Sequence, residues 1–273
     1  MKKFDGILIC TDLDGTLLKN DHTVSKENLE AIEYFKSEGG KFTFVTGRMP
    51  YFSRSIKDVI NPNAPVGCVN GGGIYDYESE KYVELLTLPD NVTEVVLDVA
   101  EAVEGIGVVV NTPDKLYFPY DNAATERHRA RTKMVYAGCD LRNFDTTIAK
   151  IVFADMREEA IEKIANILNN HKRKDEFSFI RSERTLYEIL PPGINKGRIL
   201  PKLCDFLGMD IKRTIAVGDY NNDIAMLKAA GVGIAVANAV DEVKAVADYI
   251  TVSNEENAIA KIICDVEKGE IKL

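Results

Sequence analysis

Two aspartates one residue apart, Asp12 and Asp14, follow the first apolar run of the chain, residues 7–11. An apolar run of this length, bounded by turn residues, is typical of a buried strand. Two carboxylates about 4 Å apart repel each other by about 4 kcal/mol at an effective dielectric constant of about 20. A strand end that carries both usually holds a cation as well, so we expect the active site here.

Later segments place further polar groups where predicted strands end or a helix begins. They are, in chain order, Thr46, Gly47 and Arg48; Asn70 and Gly71; Lys196; and Asp219, Asn222 and Asp223. Taken singly, each of these segments is equally well explained as a turn or loop. In a doubly wound sheet, however, ligands bind outside the carboxyl ends of the strands. We therefore expect these groups to converge on one crevice.

The elements that must position these groups alternate between strand and helix. Ser25 is a predicted N-cap for the first helix, and the βαβαβ order up to residue 69 implies a parallel sheet with helices on both faces. The same alternation of strands and helices returns late in the chain. There Asn195 is predicted to cap a helix starting at Lys196, and Pro201 should kink or shorten it.

Between these parts, from about Pro89 onward, the sequence pattern changes and predicts helices among strands of antiparallel type. This indicates a separate α+β unit of ordinary domain size. We predict an α/β fold: a doubly wound parallel-sheet (Rossmann-like) core over residues 1–85 and 190–273, with an inserted α+β cap domain over 86–189. Basic residues cluster at 127–133, where they could meet an anionic substrate or form a solvated charged face.

The composition of the chain limits the kinds of partner that we expect it to bind. The 273 residues carry a net charge of −9, which argues against nucleic acid and anionic membrane surfaces as partners. No apolar run is long enough to span a bilayer. The five cysteines are widely spaced and form no CxxC pair, which favours a reducing, cytoplasmic location. Oligomeric state stays open.

The ordered motifs resemble those of the haloacid dehalogenase-like hydrolase superfamily. They are Asp12-Leu13-Asp14-Gly15-Thr16, Thr46-Gly47-Arg48, Asn70-Gly71-Gly72, Lys196-Gly197 and Gly218-Asp219-x-x-Asn222-Asp223. More narrowly, the chain is similar to the Cof-type phosphatases, in which a large α+β cap of the C2B type is inserted between the second and third motifs. The core resembles this family over most of its length, and the cap resembles it in position and layout only.

The resemblance implies a catalytic role for both aspartates of the first motif. Asp12 would be the nucleophile that forms an aspartyl phosphate, which splits one difficult displacement into two easier ones. Asp14 would protonate the leaving oxygen and then activate water. Mg²⁺ would bridge the Asp12 carboxylate, the Asp14 backbone carbonyl, the Asp219 carboxylate and a phosphate oxygen.

The remaining motif residues would bind the phosphoryl group or support the site. Thr46 and the Gly47 amide would hold phosphoryl oxygens, and Lys196 would offset the charge there. The others have supporting roles: Asn222 and Asp223 would orient the metal shell or Lys196, Arg48 would contact substrate or form an ion pair, and Asn70-Gly71 would allow close backbone approach or form a tight turn.

The expected function is Mg²⁺-dependent hydrolysis of small phosphorylated metabolites. Sugar phosphates, or phosphates of the flavin and pyridoxal type, are the substrate classes that the resemblance suggests. Two alternatives stay open. One is a sugar phosphomutase similar to phosphomannomutase, and the other is a non-catalytic protein that binds a phosphorylated metabolite.

Overall fold

The computed structural model describes residues 2–132 and 136–273. The chain forms two compact units, the first made of residues up to Glu84 together with Asn195–Leu273, and the second of Leu85–Ile194. The return to the first unit falls five residues later than the predicted start at 190. The turn at Gly193 stays with the second unit, where its N–H donates to Ser178 Oγ (3.0 Å).

The first unit begins with five strands and two helices. They are β1 (Leu8–Thr11), α1 (Lys26–Ser37), β2 (Lys41–Phe44), α2 (Pro50–Ile60), β3 (Val66–Cys68), β4 (Gly73–Asp76) and β5 (Lys81–Leu85). Ser25 caps α1 as predicted, because its hydroxyl accepts the Asn28 N–H (3.2 Å). Pro50 opens α2, a position where its missing N–H costs no helical hydrogen bond.

The second unit has six strands and three helices within the described residues. They are α3 (Val92–Ala102), β6 (Gly107–Asn111), β7 (Leu116–Tyr120), α4 (Ala123–Thr132), β8 (Tyr136–Ala137), β9 (Lys150–Ala154), α5 (Glu158–Asn169), β10 (Ser178–Glu183) and β11 (Leu186–Leu190). The strand order is β10-β11-β9-β6-β7-β8, antiparallel except for the last pair. Valines of α3 and isoleucines of α5 share its hydrophobic core.

The basic cluster at 127–133 is described only in part. Arg129 forms an ion pair with Asp121, and its guanidinium carbon lies 5.1 Å from the centre of the Phe118 ring. Lys133 lies outside the described residues. At Arg129, therefore, the positive charge is already paired within its own unit.

The second part of the first unit contains four helices and three strands. They are α6 (Ile199–Leu207), β12 (Thr214–Gly218), α7 (Ile224–Ala229), β13 (Val232–Ala235), α8 (Asp241–Lys244), β14 (Tyr249–Ile250) and α9 (Ala258–Lys268).

The helix predicted to start at Lys196 begins differently. Residues Lys196–Arg198 form a 3₁₀ turn, and the side chain of Asn195 makes no capping hydrogen bond. The α-helix α6 starts only at Ile199. Pro201 therefore lies in the first turn, where proline is tolerated.

A five-stranded parallel sheet forms the centre of the first unit, in the order β14-β13-β12-β1-β2. The predicted α/β class with a parallel-sheet core is confirmed. The strand predicted at 66–69 forms as β3 and meets the large sheet through a single parallel bridge, Val45 to Gly67, but its full pairing is antiparallel and with β4. The carboxyl ends of β1, β2 and β12 lie at one edge of the sheet, which brings the predicted site residues together.

All five cysteines lie in the described part of the chain and are thiols. Across residues 2–132 and 136–273, no helix combines the length and the apolar character that crossing a membrane requires.

Candidate active site

Asp12 is the first residue after β1, and its backbone lies beside the end of the neighbouring strand β12. Its backbone N–H donates to Val217 O (2.9 Å), which continues the β1–β12 pairing by one residue. Its side chain is buried and accepts a hydrogen bond from Lys196 Nζ (2.7 Å). Burial is the main effect that holds the pKa of Asp12 well above its usual range. The charge of Lys196 acts to lower this pKa, but three neighbouring carboxylates act against the lysine.

Lys196 is a buried cation between two carboxylates. Its side chain is 1% exposed, and Nζ donates to Asp12 Oδ1 (2.7 Å) and to Asp223 Oδ1 (2.6 Å). Burial alone would lower the pKa of Lys196, but the two carboxylates outweigh it and hold the pKa above the usual value. Lys196 is therefore charged at neutral pH and is held in one position.

Asp223 holds both Lys196 and its own loop. While Oδ1 accepts from Lys196, Oδ2 accepts the backbone N–H groups of Asp219 (3.0 Å) and Tyr220 (3.1 Å). The side chain is completely buried. Asp223 thus orients the lysine and fixes the loop that carries Asp219.

Asp219 completes a cluster of acidic groups. Its Oδ1 accepts the Thr16 hydroxyl (2.7 Å), and one carboxylate oxygen each from Asp12, Asp219 and Asp223 lies within 4.8 Å of the others. Burial, and then the Asp223 carboxylate, raise the pKa of Asp219 to about 6. Three carboxylates lie here beside a single lysine, so the donor set fits a hard divalent cation with oxygen ligands. Asp14 adds no side-chain oxygen to this cluster, and its predicted contribution is a backbone carbonyl.

Asp14 is the exposed member of the first motif. The Arg48 guanidinium forms a bidentate ion pair with the Asp14 carboxylate, with Nε 2.9 Å from Oδ2 and Nη2 2.5 Å from Oδ1. His22 Nδ1 lies 3.6 Å from Oδ1. Of the two roles left open for Arg48, the structure therefore contains the ion pair, and its partner is a predicted catalytic residue.

Thr46 and Gly47 follow β2 at the same edge of the sheet. Thr46 is 1% exposed, and its hydroxyl accepts the Arg48 N–H (3.2 Å) while its own N–H donates to Gly67 O (3.0 Å). A β-carbon on Gly47 would lie 2.9 Å from the side-chain amide of Asn70, so any larger residue there would require the Asn70 amide to move.

The segment after β3 contacts the other loops. Asn70 Oδ1 accepts a hydrogen bond from Asn222 Nδ2 (3.1 Å). Gly71 has a φ of +98°, and a β-carbon on it would lie 2.0 Å from Asn195 O. The segment therefore forms a left-handed turn whose backbone lies close to Asn195.

Replacing Gly71 with alanine should destabilise the protein far more than the same change at Gly193. An L-residue in the left-handed region costs about 1–2 kcal/mol. A methyl group 2.0 Å from a carbonyl oxygen also forces the backbone to move, for a total of about 3 kcal/mol or more. Gly193 is the matched control, because it has φ +73° and open space around its Cα. Urea unfolding measures both, and equal losses would show that the approach to Asn195 is unimportant.

Three residues of the site were not among the predicted ones. Thr16 binds Asp219, His22 lies beside Asp14, and Asn238 Nδ2 donates to Gly15 O (2.7 Å). Thr16 lies within the first quoted motif, which was the available signal for it, whereas Asn238 lies outside the quoted motifs. His22 gave none, because its position depends on a left-handed backbone (φ +63°) in the turn after residue 19.

The comparisons with known proteins agree with this geometry. Residues 9–263 match the family model described as haloacid dehalogenase-like hydrolase. The 5-amino-6-(5-phospho-D-ribitylamino)uracil phosphatase YitU of Bacillus subtilis is 32% identical over 260 residues, which cover 94% of this chain and 96% of that one. YcsE of the same organism, which has the same description, is 30% identical and covers 94% of each chain.

Solved structures share the fold. A haloacid dehalogenase-like hydrolase from Bacteroides thetaiotaomicron has a TM-score of 0.85 and 26% identity, covering 95% of this chain and 99% of its own. A Thermotoga maritima protein with a TM-score of 0.82 is 23% identical over 98% of each chain and supports the fold alone. This chain belongs to the haloacid dehalogenase-like hydrolase family, as its motifs indicated. It is accordingly an enzyme of the group whose curated members include phosphatases.

Proposed function

We propose that the protein is a Mg²⁺-dependent phosphatase that hydrolyses small phosphorylated metabolites through an aspartyl phosphate on Asp12. The observation that carries the proposal is the buried Asp12–Lys196–Asp223 contact with Asp219 beside it, which three distant segments of the chain build. Such a cluster leaves negative charge for a divalent ion and presents one carboxylate at a strand end to phosphorus.

The residues that would hold Mg²⁺ are Asp12 and Asp219, together with the Asp14 backbone carbonyl. Asp223 stands behind them, since its two oxygens already serve Lys196 and two backbone N–H groups. When bound, the ion supplies positive charge that offsets the phosphoryl oxygens and the carboxylates.

The two chemical steps use both aspartates of the first motif. Asp12 attacks phosphorus while the bond to the leaving oxygen breaks, and Asp14 gives that oxygen a proton. Water then attacks the aspartyl phosphate, Asp14 takes the proton of the water, and inorganic phosphate leaves with Asp12 restored. Lys196 stays charged throughout, and Thr46 with the Gly47 amide holds phosphoryl oxygens.

The substrate class follows from the resemblance and from the relatives. Sugar phosphates and phosphates of the flavin and pyridoxal type are the expected esters. YitU and YcsE are described as phosphatases of a ribitylaminouracil phosphate, which also belongs among the candidates. The second unit is the part of the chain proposed to select the leaving group. The cytoplasmic location is still a prediction, which we base on the five widely spaced cysteines.

A panel of phosphorylated metabolites tests the proposal. Purified protein with Mg²⁺ should release inorganic phosphate from a generic aryl phosphate and, faster, from at least one member of the panel. Conversion of a hexose 1-phosphate into the 6-phosphate without free phosphate would instead make the enzyme a mutase. Tight binding of a panel member with no turnover would make it a binding protein.

Mg²⁺ affinity should fall as the pH drops below about 6. Because the pKa of Asp219 is raised to about 6, a proton occupies this carboxylate below that pH and competes with the ion. The apparent Kd for Mg²⁺ should rise about fivefold between pH 6 and pH 5, approach a rise of about tenfold per pH unit at lower pH, and level off well above pH 6. Titrating activity with Mg²⁺ at pH 5, 6, 7 and 8 measures this. A constant Kd between pH 5 and 7 would contradict it.

A further inference from the structure

The segment between β3 and β4 has an unusual backbone. Val69, Asn70 and Gly71 have φ values of +55°, +53° and +98°, so three residues in succession are left-handed. A β-branched residue in this region is a genuine outlier, and each such non-glycine residue costs about 1–3 kcal/mol. The rest of the structure must hold this segment in place.

Contacts with two other site loops hold the segment. Val69 N–H donates to Arg48 O and Asn70 N–H to Thr46 O, both at 3.1 Å. On its other side, Arg198 Nη1 donates to Gly71 O (2.6 Å). The segment is therefore joined both to the loop after β2 and to the 3₁₀ turn that carries Lys196.

The Asn70 side chain adds a third connection. It is 1% exposed, accepts from Asn222 Nδ2 (3.1 Å) and fills the space where a side chain on Gly47 would lie. Its Nδ2 has no hydrogen-bond partner among the described residues. A buried amide donor left in this state costs about 1–3 kcal/mol. The protein thus maintains a strained backbone and an unsatisfied donor at the same residue.

We infer that Asn70 is a positioning residue for phosphoryl transfer. Its amide lies against Gly47 on one side and binds Asn222 on the other, so it fixes the phosphate-binding loop relative to the loop that carries Asp219 and Asp223. This role rests on the proposed function. Asn70 itself touches neither reacting atom, and it acts through the spacing of the two loops.

Asparagine-to-glycine substitution at two left-handed positions tests the inference. Asn70→Gly removes the amide and suits the backbone, and Asn61→Gly makes the same change at φ +47° on the exposed end of α2. Asn70→Gly should lower kcat about 30-fold with KM changed less than about threefold, since small misplacements at a reacting centre cost up to about 100-fold. Asn61→Gly should change neither. A merely structural role would lower the melting temperature of Asn70→Gly and leave the kcat of the folded protein unchanged, which would overturn the inference.

A double-mutant cycle identifies the partner. If Asn70 acts through Asn222, the variant Asn70→Gly/Asn222→Ala should be no slower than the slower single variant. Effects that multiply would overturn the inference.

Orthovanadate binding with Mg²⁺ separates this inference from the proposed function. Asn70→Gly should weaken vanadate binding about tenfold relative to wild type. If wild type releases no phosphate but the variant still shows this weakening, only the phosphatase proposal fails. Equal vanadate affinities, or no binding by wild type, would overturn the role of Asn70.

Discussion

Replacing Asp12 with asparagine should reduce phosphate release by at least about 10⁴-fold, which corresponds to about 5.5 kcal/mol of transition-state stabilisation. A neutral amide oxygen is a poor nucleophile toward phosphorus, so the first of the two steps loses its attacking group. The remaining groups can still hold a phosphate ester, and KM should therefore change much less than kcat.

The same variant should be at least as stable as wild type. Burial holds the pKa of Asp12 well above its usual range, so ionisation of this group opposes folding at neutral pH. Asparagine removes the charge, and its carbonyl oxygen can still accept the hydrogen bond that Lys196 donates. A stable but inactive protein is the expected combination.

Two measurements check the effect of the substitution. Phosphate release from an aryl phosphate gives the rate, and thermal unfolding without Mg²⁺ gives the stability. Asp58→Asn on the exposed face of α2 makes the same chemical change away from the site and should alter neither. A rate for Asp12→Asn within tenfold of wild type would remove Asp12 from the role of nucleophile.

The parts of the site that follow strands could be predicted from the sequence. Asp12, Thr46 and Asp219 each come directly after an apolar run, and parallel strands bring their carboxyl ends to one edge. This rule needs only the order of the elements. It therefore located the acidic cluster without any knowledge of distances.

Contacts that depend on turn geometry could not be predicted in this way. His22 reaches Asp14 only because residue 22 is left-handed, and Asn70 reaches both Gly47 and Asn222 from a strained turn. Periodicity does not report such backbone angles, since they are set by tertiary contacts that stabilise them.

The start of α6 and the main pairing of β3 differ from the prediction for similar reasons. Asn195 is a good N-cap by residue type, yet its carbonyl lies against Gly71 and its side chain does not cap. The run 66–69 is apolar enough for a sheet strand, but the turn at Asn70 sends the chain back into an antiparallel pair with β4. In both places tertiary contacts override the local preference.

Replacing Lys196 with methionine should affect stability and activity together. The variant leaves Asp12 and Asp223 buried without the cation they share, and removing one partner of a buried ion pair costs about 3–5 kcal/mol. Activity should fall at least about 10³-fold, because the charge that offsets the phosphoryl group is lost.

Lys150→Met is the matched control for stability. Lys150 is a buried lysine of the second unit, and its Nζ lies 2.9 Å from the Glu188 carboxylate. This variant breaks a buried lysine–carboxylate contact away from the candidate site and so shows what the loss of a buried lysine costs by itself. Urea unfolding at pH 7 compares the two losses, and Lys196→Met should show the larger one because both Asp12 and Asp223 lose the cation that they share.

The pH dependence and a second substitution separate the two effects of Lys196→Met. Without the lysine, the pKa of Asp12 should rise further, so protonation at low pH relieves the unpaired charge and the stability gap to wild type should narrow as pH falls. Adding Asp223→Asn removes one of the two carboxylates and should restore part of the stability, but it cannot restore the cation and should leave activity low. A double variant that regains activity would show that Lys196 only stabilises the fold. A single variant as stable as wild type at pH 7 would show that the buried carboxylates need no cation, and the charge balance argued for this site would be wrong.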